Sequence, residues 1–123
     1  MKSKYFTFSE LISSDYARLN SLNNYPLSDV CMYNLGKLSV TLDHIRHSIG
    51  CPVHVNSGYR TSTVNSGVGG AENSNHMKGL AADITTKLRA VDIKLYEYIK
   101  ANKSFYNINE VILYETFFHI SIY

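Results

Sequence analysis

The fold of this chain turns on the stretch Ser74-Asn75-His76-Met77-Lys78-Gly79-Leu80-Ala81-Ala82-Asp83-Ile84. It passes from a polar loop into an apolar run, and it holds an imidazole and a carboxylate seven residues apart. A loop entering a strand places His76 and Asp83 on one side. Gly79 and the small pair Ala81-Ala82 let the backbone pack closely behind them. A third donor, His119, lies in Phe117-Phe118-His119-Ile120-Ser121. Two imidazoles and one carboxylate make a three-ligand zinc set with a fourth position left for water, the mark of a catalytic rather than a structural ion. Spacing alone carries a modest signal. The pattern is not the helical His-Glu-x-x-His, and a histidine in a loop is commonly a surface residue.

Outward from this stretch the chain alternates between helical and strand patterns. Before it, Thr61 to Asn75 is rich in Ser, Asn, Thr and Gly and reads as one long loop of the kind that carries binding or catalytic groups. Val53 to Asn56 reads as a short strand that leads into the turn Ser57-Gly58. Further back, Cys31, Leu35, Leu38, Leu42, Ile45 and Ile49 step by three or four. That stripe predicts a long amphipathic helix, begun by Ser28 as N-cap and ended by Gly50 and Pro52. His44 and His47 then fall on its solvated face, and His54 packs on the short strand. Asn23-Asn24-Tyr25-Pro26 breaks the chain, and Thr7-Phe8-Ser9-Glu10 resembles a capping box for a short first helix.

After the stretch, Leu80 to Thr85 reads as a strand, and Leu88, Val91, Leu95 and Ile99 mark a second helix. Glu110 to Tyr114 and Phe117 to Ile122 form the arms of a tight hairpin. On the last arm Phe118, Ile120 and Ile122 share a core face, while Phe117, His119 and Ser121 share the other. Helices and strands in mixed order give an α+β domain spanning residues 1–123 as a single unit.

The bulk numbers narrow the partners. With 123 residues the chain suffices for one core, and its 45% apolar content is ordinary for a globular protein. The net charge of +2 is small and the twelve Lys and Arg are scattered, so nucleic acid is not expected as a partner. No apolar run spans a membrane and none follows the pattern of a secretory signal, so the chain is expected to be made in the cytoplasm and to meet any outside target after release. The two cysteines, Cys31 and Cys51, imply no disulfide framework and are read as free thiols, with a pairing left open. A monomer is expected.

The order Ser57-Gly58-Tyr59-Arg60, Asn65, Val68-Gly69-Gly70, Ser74-x-His76-x-x-Gly79-x-Ala81-x-Asp83 and His119-x-Ser121 resembles the D-Ala-D-Ala carboxypeptidase family of zinc peptidases. That family is grouped with lysostaphin-type enzymes and the hedgehog signalling domain. Phe8-Ser9-Glu10-Leu11 and Leu42-Asp43-His44-Ile45-Arg46 look like its single-domain, phage-associated branch. The resemblance covers nearly the whole chain. It implies a small antiparallel sheet flanked by helices, one Zn2+, and cleavage of peptidoglycan stem peptides at a D-Ala-D-Ala or L-Ala-D-Glu bond, as in a phage endolysin. It makes His76, Asp83 and His119 the metal ligands. It places Arg60 on the substrate carboxylate or developing oxyanion, and Ser74 on the substrate.

The general base departs from the family pattern. The family carries an acid shortly before the last histidine, often three residues before, where this chain has Thr116. Glu115, at the hairpin turn, is favoured over Glu110, which opens the strand farther away. Tyr59 and Tyr114 are assigned to the rim of a substrate groove on amphipathic character. The missing acid also supports an alternative, a zinc-containing module that binds cell wall or protein with weak or no catalysis.

Overall fold

The computed structural model describes residues 3–123. Five α-helices and four strands appear in the order α1 (Phe8–Ile12), α2 (Asp15–Leu19), α3 (Asp29–Ile49), β1 (His54–Ser57), α4 (Ser62–Gly67), β2 (Ala81–Thr85), α5 (Arg89–Ala101), β3 (Ile108–Leu113) and β4 (Phe118–Ile122). A 3₁₀ turn, Asn75–Lys78, precedes β2. The strands form one antiparallel sheet in the order β1-β2-β4-β3, which is the α+β arrangement expected. No helix of the described residues is long and apolar enough to cross a membrane.

Local chemistry sets the helix ends. The Thr7 hydroxyl accepts from Glu10 N while Glu10 accepts from Thr7 N, a complete capping box for α1. Ser28 accepts from the backbone N–H of Val30 and Cys31 at the start of α3. Gly50, at φ +70°, ends that helix in the left-handed conformation. The long loop read between Thr61 and Asn75 is a correction: it contains α4, capped by Thr61 Oγ1, and the 3₁₀ turn, capped by Ser74. Both elements are shorter than two helical turns, too short for an apolar stripe, and their polar composition hid them. α2 was missed for the same reason.

The stripe on α3 does what its spacing requires. Leu35, Leu38, Leu42 and Ile45 are fully buried, together with Leu95 and Ile99 of α5. They meet one face of the sheet, made of Ala82, Ile84, Val111, Phe118, Ile120 and Ile122. Asp43, on the polar side of α3, is not merely solvated. It accepts from Ser3 Oγ, Lys4 N and Tyr5 N and so ties down the N-terminal segment. Cys31 and Cys51 are free and half-buried.

The opposite face of the sheet carries the polar groups. Because β2, β4 and β3 run antiparallel in register, Ser57, Asp83, His119 and Ile112 form one row across all four strands. A register shift between Val55 and Ser57 turns Ser57 into that row. Gly79 sets the entry to β2. Its φ is +76°, and a Cβ there would lie 2.8 Å from the Cys31 carbonyl oxygen and 3.2 Å from Leu35 Cγ. Gly79→Ala is expected to cost at least about 2 kcal/mol, from the left-handed backbone and the forced shift against α3. Gly69→Ala, at φ +74° with nothing nearby, bears the backbone part alone. Thermal unfolding checks this: equal midpoints for the two variants would refute the close approach.

Candidate metal centre

Three elements bring the donors together. The 3₁₀ turn supplies His76, β2 supplies Asp83, and β4 supplies His119 as the direct cross-strand partner of Asp83. The 3₁₀ turn is fixed from below by backbone bonds from Arg60 N to His76 O and from Leu80 N to Asn75 O. One ligand atom from each of the three residues falls within 4.8 Å of the others.

The tautomer of His76 is set by its surroundings. Its ring is buried, and Nδ1 lies 2.7 Å from the Gly58 carbonyl oxygen. A carbonyl only accepts, so Nδ1 carries the proton and Nε2 presents its lone pair to the cluster. Nε2 is 3.3 Å from Asp83 Oδ1, and His119 Nδ1 is 2.8 Å from the same oxygen. Two donors on a tetrahedral ion with bonds of about 2.1 Å stand roughly 3.4 Å apart. The His76–Asp83 spacing matches that distance, and the His119–Asp83 spacing is somewhat shorter. A zinc-binding histidine ordinarily has its other ring nitrogen donating to a carbonyl or carboxylate in this way, which fixes its tautomer and orientation. The donor set therefore fits Zn2+.

Burial pushes the Asp83 carboxyl up, but the His119 hydrogen bond and the two imidazoles that face the carboxylate outweigh it and hold the group far below the usual carboxylate range. Asp83 is thus an ionised donor. Its other oxygen, Oδ2, lies 3.5 Å from Arg60 Nη2. Arg60 is half-buried in effect: burial lowers its pKa, and the Asp83 charge partly restores it. Nε of Arg60 donates to Ser57 Oγ at 3.1 Å, and Nη1 donates to Asn65 Oδ1 at 3.0 Å.

A cleft opens in front of the cluster. It has a volume of about 350 Å³, and His76, Asp83 and His119 line it with Arg60. One wall is polar and comes from the loop before the 3₁₀ turn, Asn73 and Ser74, and the first residue of the turn, Asn75. The other comes from the hairpin: Glu110, Ile112, Tyr114 and Phe117, with the Tyr114 and Phe117 rings stacked at 5.0 Å. Ser74 accepts from His76 N at 3.1 Å, which leaves its own O–H free to donate. Ser121 stands opposite Glu110 and Ala81 on the same face, and its buried Oγ has no hydrogen-bond partner among the described residues.

Two expected site residues are elsewhere. Tyr59 is 8% exposed and belongs to the hydrophobic core, not the cleft. Its backbone is clamped by N–H donation to Leu11 O and by acceptance from Asn24 Nδ2, which turns the ring inward while Arg60 turns toward the metal cluster. Glu115 is at the hairpin turn, beside a separate hollow with Lys87, Arg89 and Asp92. The acid that does line the cleft is Glu110. The signal for it was present: Glu110 and Ile112 are two apart on β3, the strand paired to β4, so they share a face with His119. Asn73 and Asn75 carry no such signal, because a short polar segment has no periodicity, whereas Phe117, read on the His119 side of the last arm, does line the cleft.

Compared with known proteins, residues 4–121 match the family model described as Peptidase M15. The chain belongs to the Peptidase M15 family. It is 54% identical over 44 residues to the zinc D-Ala-D-Ala carboxypeptidase of Streptomyces albus G. That match takes in 35% of this chain and 17% of the relative.

Proposed function

We propose that this chain is a single zinc peptidase domain that hydrolyses peptide bonds in peptidoglycan stem peptides. The observation that carries the reading is the convergence of His76 Nε2, Asp83 Oδ1 and His119 Nδ1 at the floor of a cleft that also holds Arg60, Ser74 and Glu110. Membership of a peptidase family and the name of the Streptomyces relative support it.

His76, Asp83 and His119 would hold the ion. When bound there, zinc lowers the pKa of a water and polarises a carbonyl oxygen. The chain's own groups do the rest. Glu110 is the diagonal neighbour of His119, since Glu110 pairs with Ser121 and Ile112 pairs with His119. Diagonal positions lie about 7–8 Å apart at Cα, within reach of a glutamate side chain leaning toward the front of the cluster. Glu110 accepts the proton of the attacking water and delivers it to the leaving amine nitrogen. Arg60 lines the cleft and keeps N–H groups beyond those bound to Ser57, Asn65 and Asp83. They steady the oxygen that gains negative charge, or a substrate carboxylate. Ser74 donates its hydroxyl to the peptide. The stacked Tyr114 and Phe117 supply an apolar wall for the stem-peptide side chains.

Mass spectrometry of purified peptidoglycan fragments, incubated with zinc-loaded and with chelated protein, tests the reading. The expected result is a metal-dependent pair of products whose masses name the bond, D-Ala-D-Ala or L-Ala-D-Glu. Unaltered fragments in the presence of demonstrably bound zinc would favour a binding module. A lysis role in a phage or prophage rests on sequence resemblance alone.

A further inference from the structure

Asn65 enters the proposed chemistry nowhere, yet it is almost fully buried beside the cleft at 3% exposure. A buried amide is costly unless both its ends are bonded, and here both are. Asn65 Oδ1 accepts from Arg60 Nη1 at 3.0 Å, and Nδ2 donates to the Ala71 carbonyl at 2.8 Å. The backbone closes a second link, Gly70 N to Asn65 O at 2.8 Å. Gly70 is required by this packing: a Cβ there would lie 2.0 Å from Asn65 Oδ1 and 2.9 Å from Arg60 Nη1.

The contacts run in one direction on each side. Through Arg60 they continue to Asp83 Oδ2, which leaves Asp83 Oδ1 turned toward His76 and His119. Through Ala71 they reach the loop that carries Asn73, Ser74 and Asn75 into the cleft wall. α4 holds Asn65 itself, capped by Thr61, whose N–H is bound by Asn24 Oδ1.

We propose that Asn65 is a positioning residue that sets two things at once: the carboxylate orientation of Asp83, through Arg60, and the substrate wall at 73–75, through Ala71. The proposal rests on the zinc-peptidase reading above. It divides by atom. The acceptor Oδ1 serves the metal, and the donor Nδ2 serves the substrate.

The test uses zinc affinity by chelator competition, with steady-state kinetics as a second readout. Asn65→Ala removes both ends. It is expected to fold cooperatively and to bind zinc more weakly, by up to about the 10–100-fold that follows loss of a group bonded directly to a metal ligand, because Asn65 acts one contact farther out, through Arg60. Asn65→Asp keeps an acceptor for Arg60 and loses the donor to Ala71. It is expected to hold zinc within about twofold of wild type while KM rises and kcat changes little. In an Arg60→Ala background, Asn65→Ala is expected to weaken zinc no further, because its effect passes through Arg60. A folded Asn65→Ala protein with wild-type zinc affinity overturns the proposal, as does full additivity with Arg60→Ala. An Asn65→Asp protein as weak for zinc as Asn65→Ala overturns the division by atom. A wild-type chain that binds no zinc overturns the zinc reading itself and this inference with it. Zinc binding without hydrolysis overturns only the peptidase reading, since the affinity arms still decide the role of Oδ1.

Discussion

Replacing His76 with alanine is expected to abolish zinc binding and hydrolysis together. His76 is the one donor that comes from outside the sheet, and its geometry is held at both ends. The Gly58 carbonyl fixes Nδ1, and the 3₁₀ turn fixes the backbone. Without it, Asp83 and His119 remain as a neighbouring pair, and two donors cannot close a three-ligand site. Zinc affinity should fall by more than the roughly 10–100-fold that follows loss of a group hydrogen-bonded to a metal ligand. Turnover should drop to that of the chelated protein. The ring is buried, so the variant also leaves the Gly58 carbonyl without its donor and costs stability. His119→Ala separates the two effects, because the His119 side chain is only half-buried and bonds to no backbone group among the described residues. Loss of zinc in both variants, with a cooperative transition kept in His119→Ala, is the expected pattern. Hydrolysis retained by purified His76→Ala protein would end the assignment.

The second large effect belongs to Glu110. Glu110→Gln keeps the size and the strand and removes the proton acceptor. It is expected to lower kcat by about 10²–10⁴ with zinc affinity unchanged. Glu115→Gln is expected to stay within about twofold of wild type, as a surface substitution away from the cleft. The contrast is informative because both acids sit on the same hairpin. A large loss in Glu115→Gln with Glu110→Gln unaffected would return the role to the turn. It would also require the turn to close over the cleft in the substrate complex. No loss in either variant would favour the binding-module alternative.

Most of the fold is legible in the sequence. The α3 stripe from Cys31 to Ile49, its caps at Ser28 and Gly50, and the alternation along β4 all come from patterns whose period is that of the element itself. Where the elements were short, the pattern had no room to repeat. α2, α4 and the 3₁₀ turn span five, six and four residues, and polar composition made the last two read as loop. The three candidate metal donors were legible as a set because residue type restricts them: few side chains can bind zinc, and the same stretch holds the glycine that the close packing against α3 demands.

The roles of the other side chains were not open to such reading. Tyr59 and Arg60 are adjacent, yet one enters the core and the other the metal cluster, because clamps from Leu11 and Asn24 set the local backbone. Glu110 and Glu115 differ only by five positions on a hairpin. Pairing register, a property of two strands together, decides that Glu110 shares the face of His119. By itself the sequence determined the element types, the core stripe and the ligand chemistry, because these depend on local periodicity and on what each side chain can donate. Only the tertiary structure decided which acid shares the cleft with His76, Asp83 and His119 and which amide holds the arginine, because those depend on distances between segments far apart in the chain.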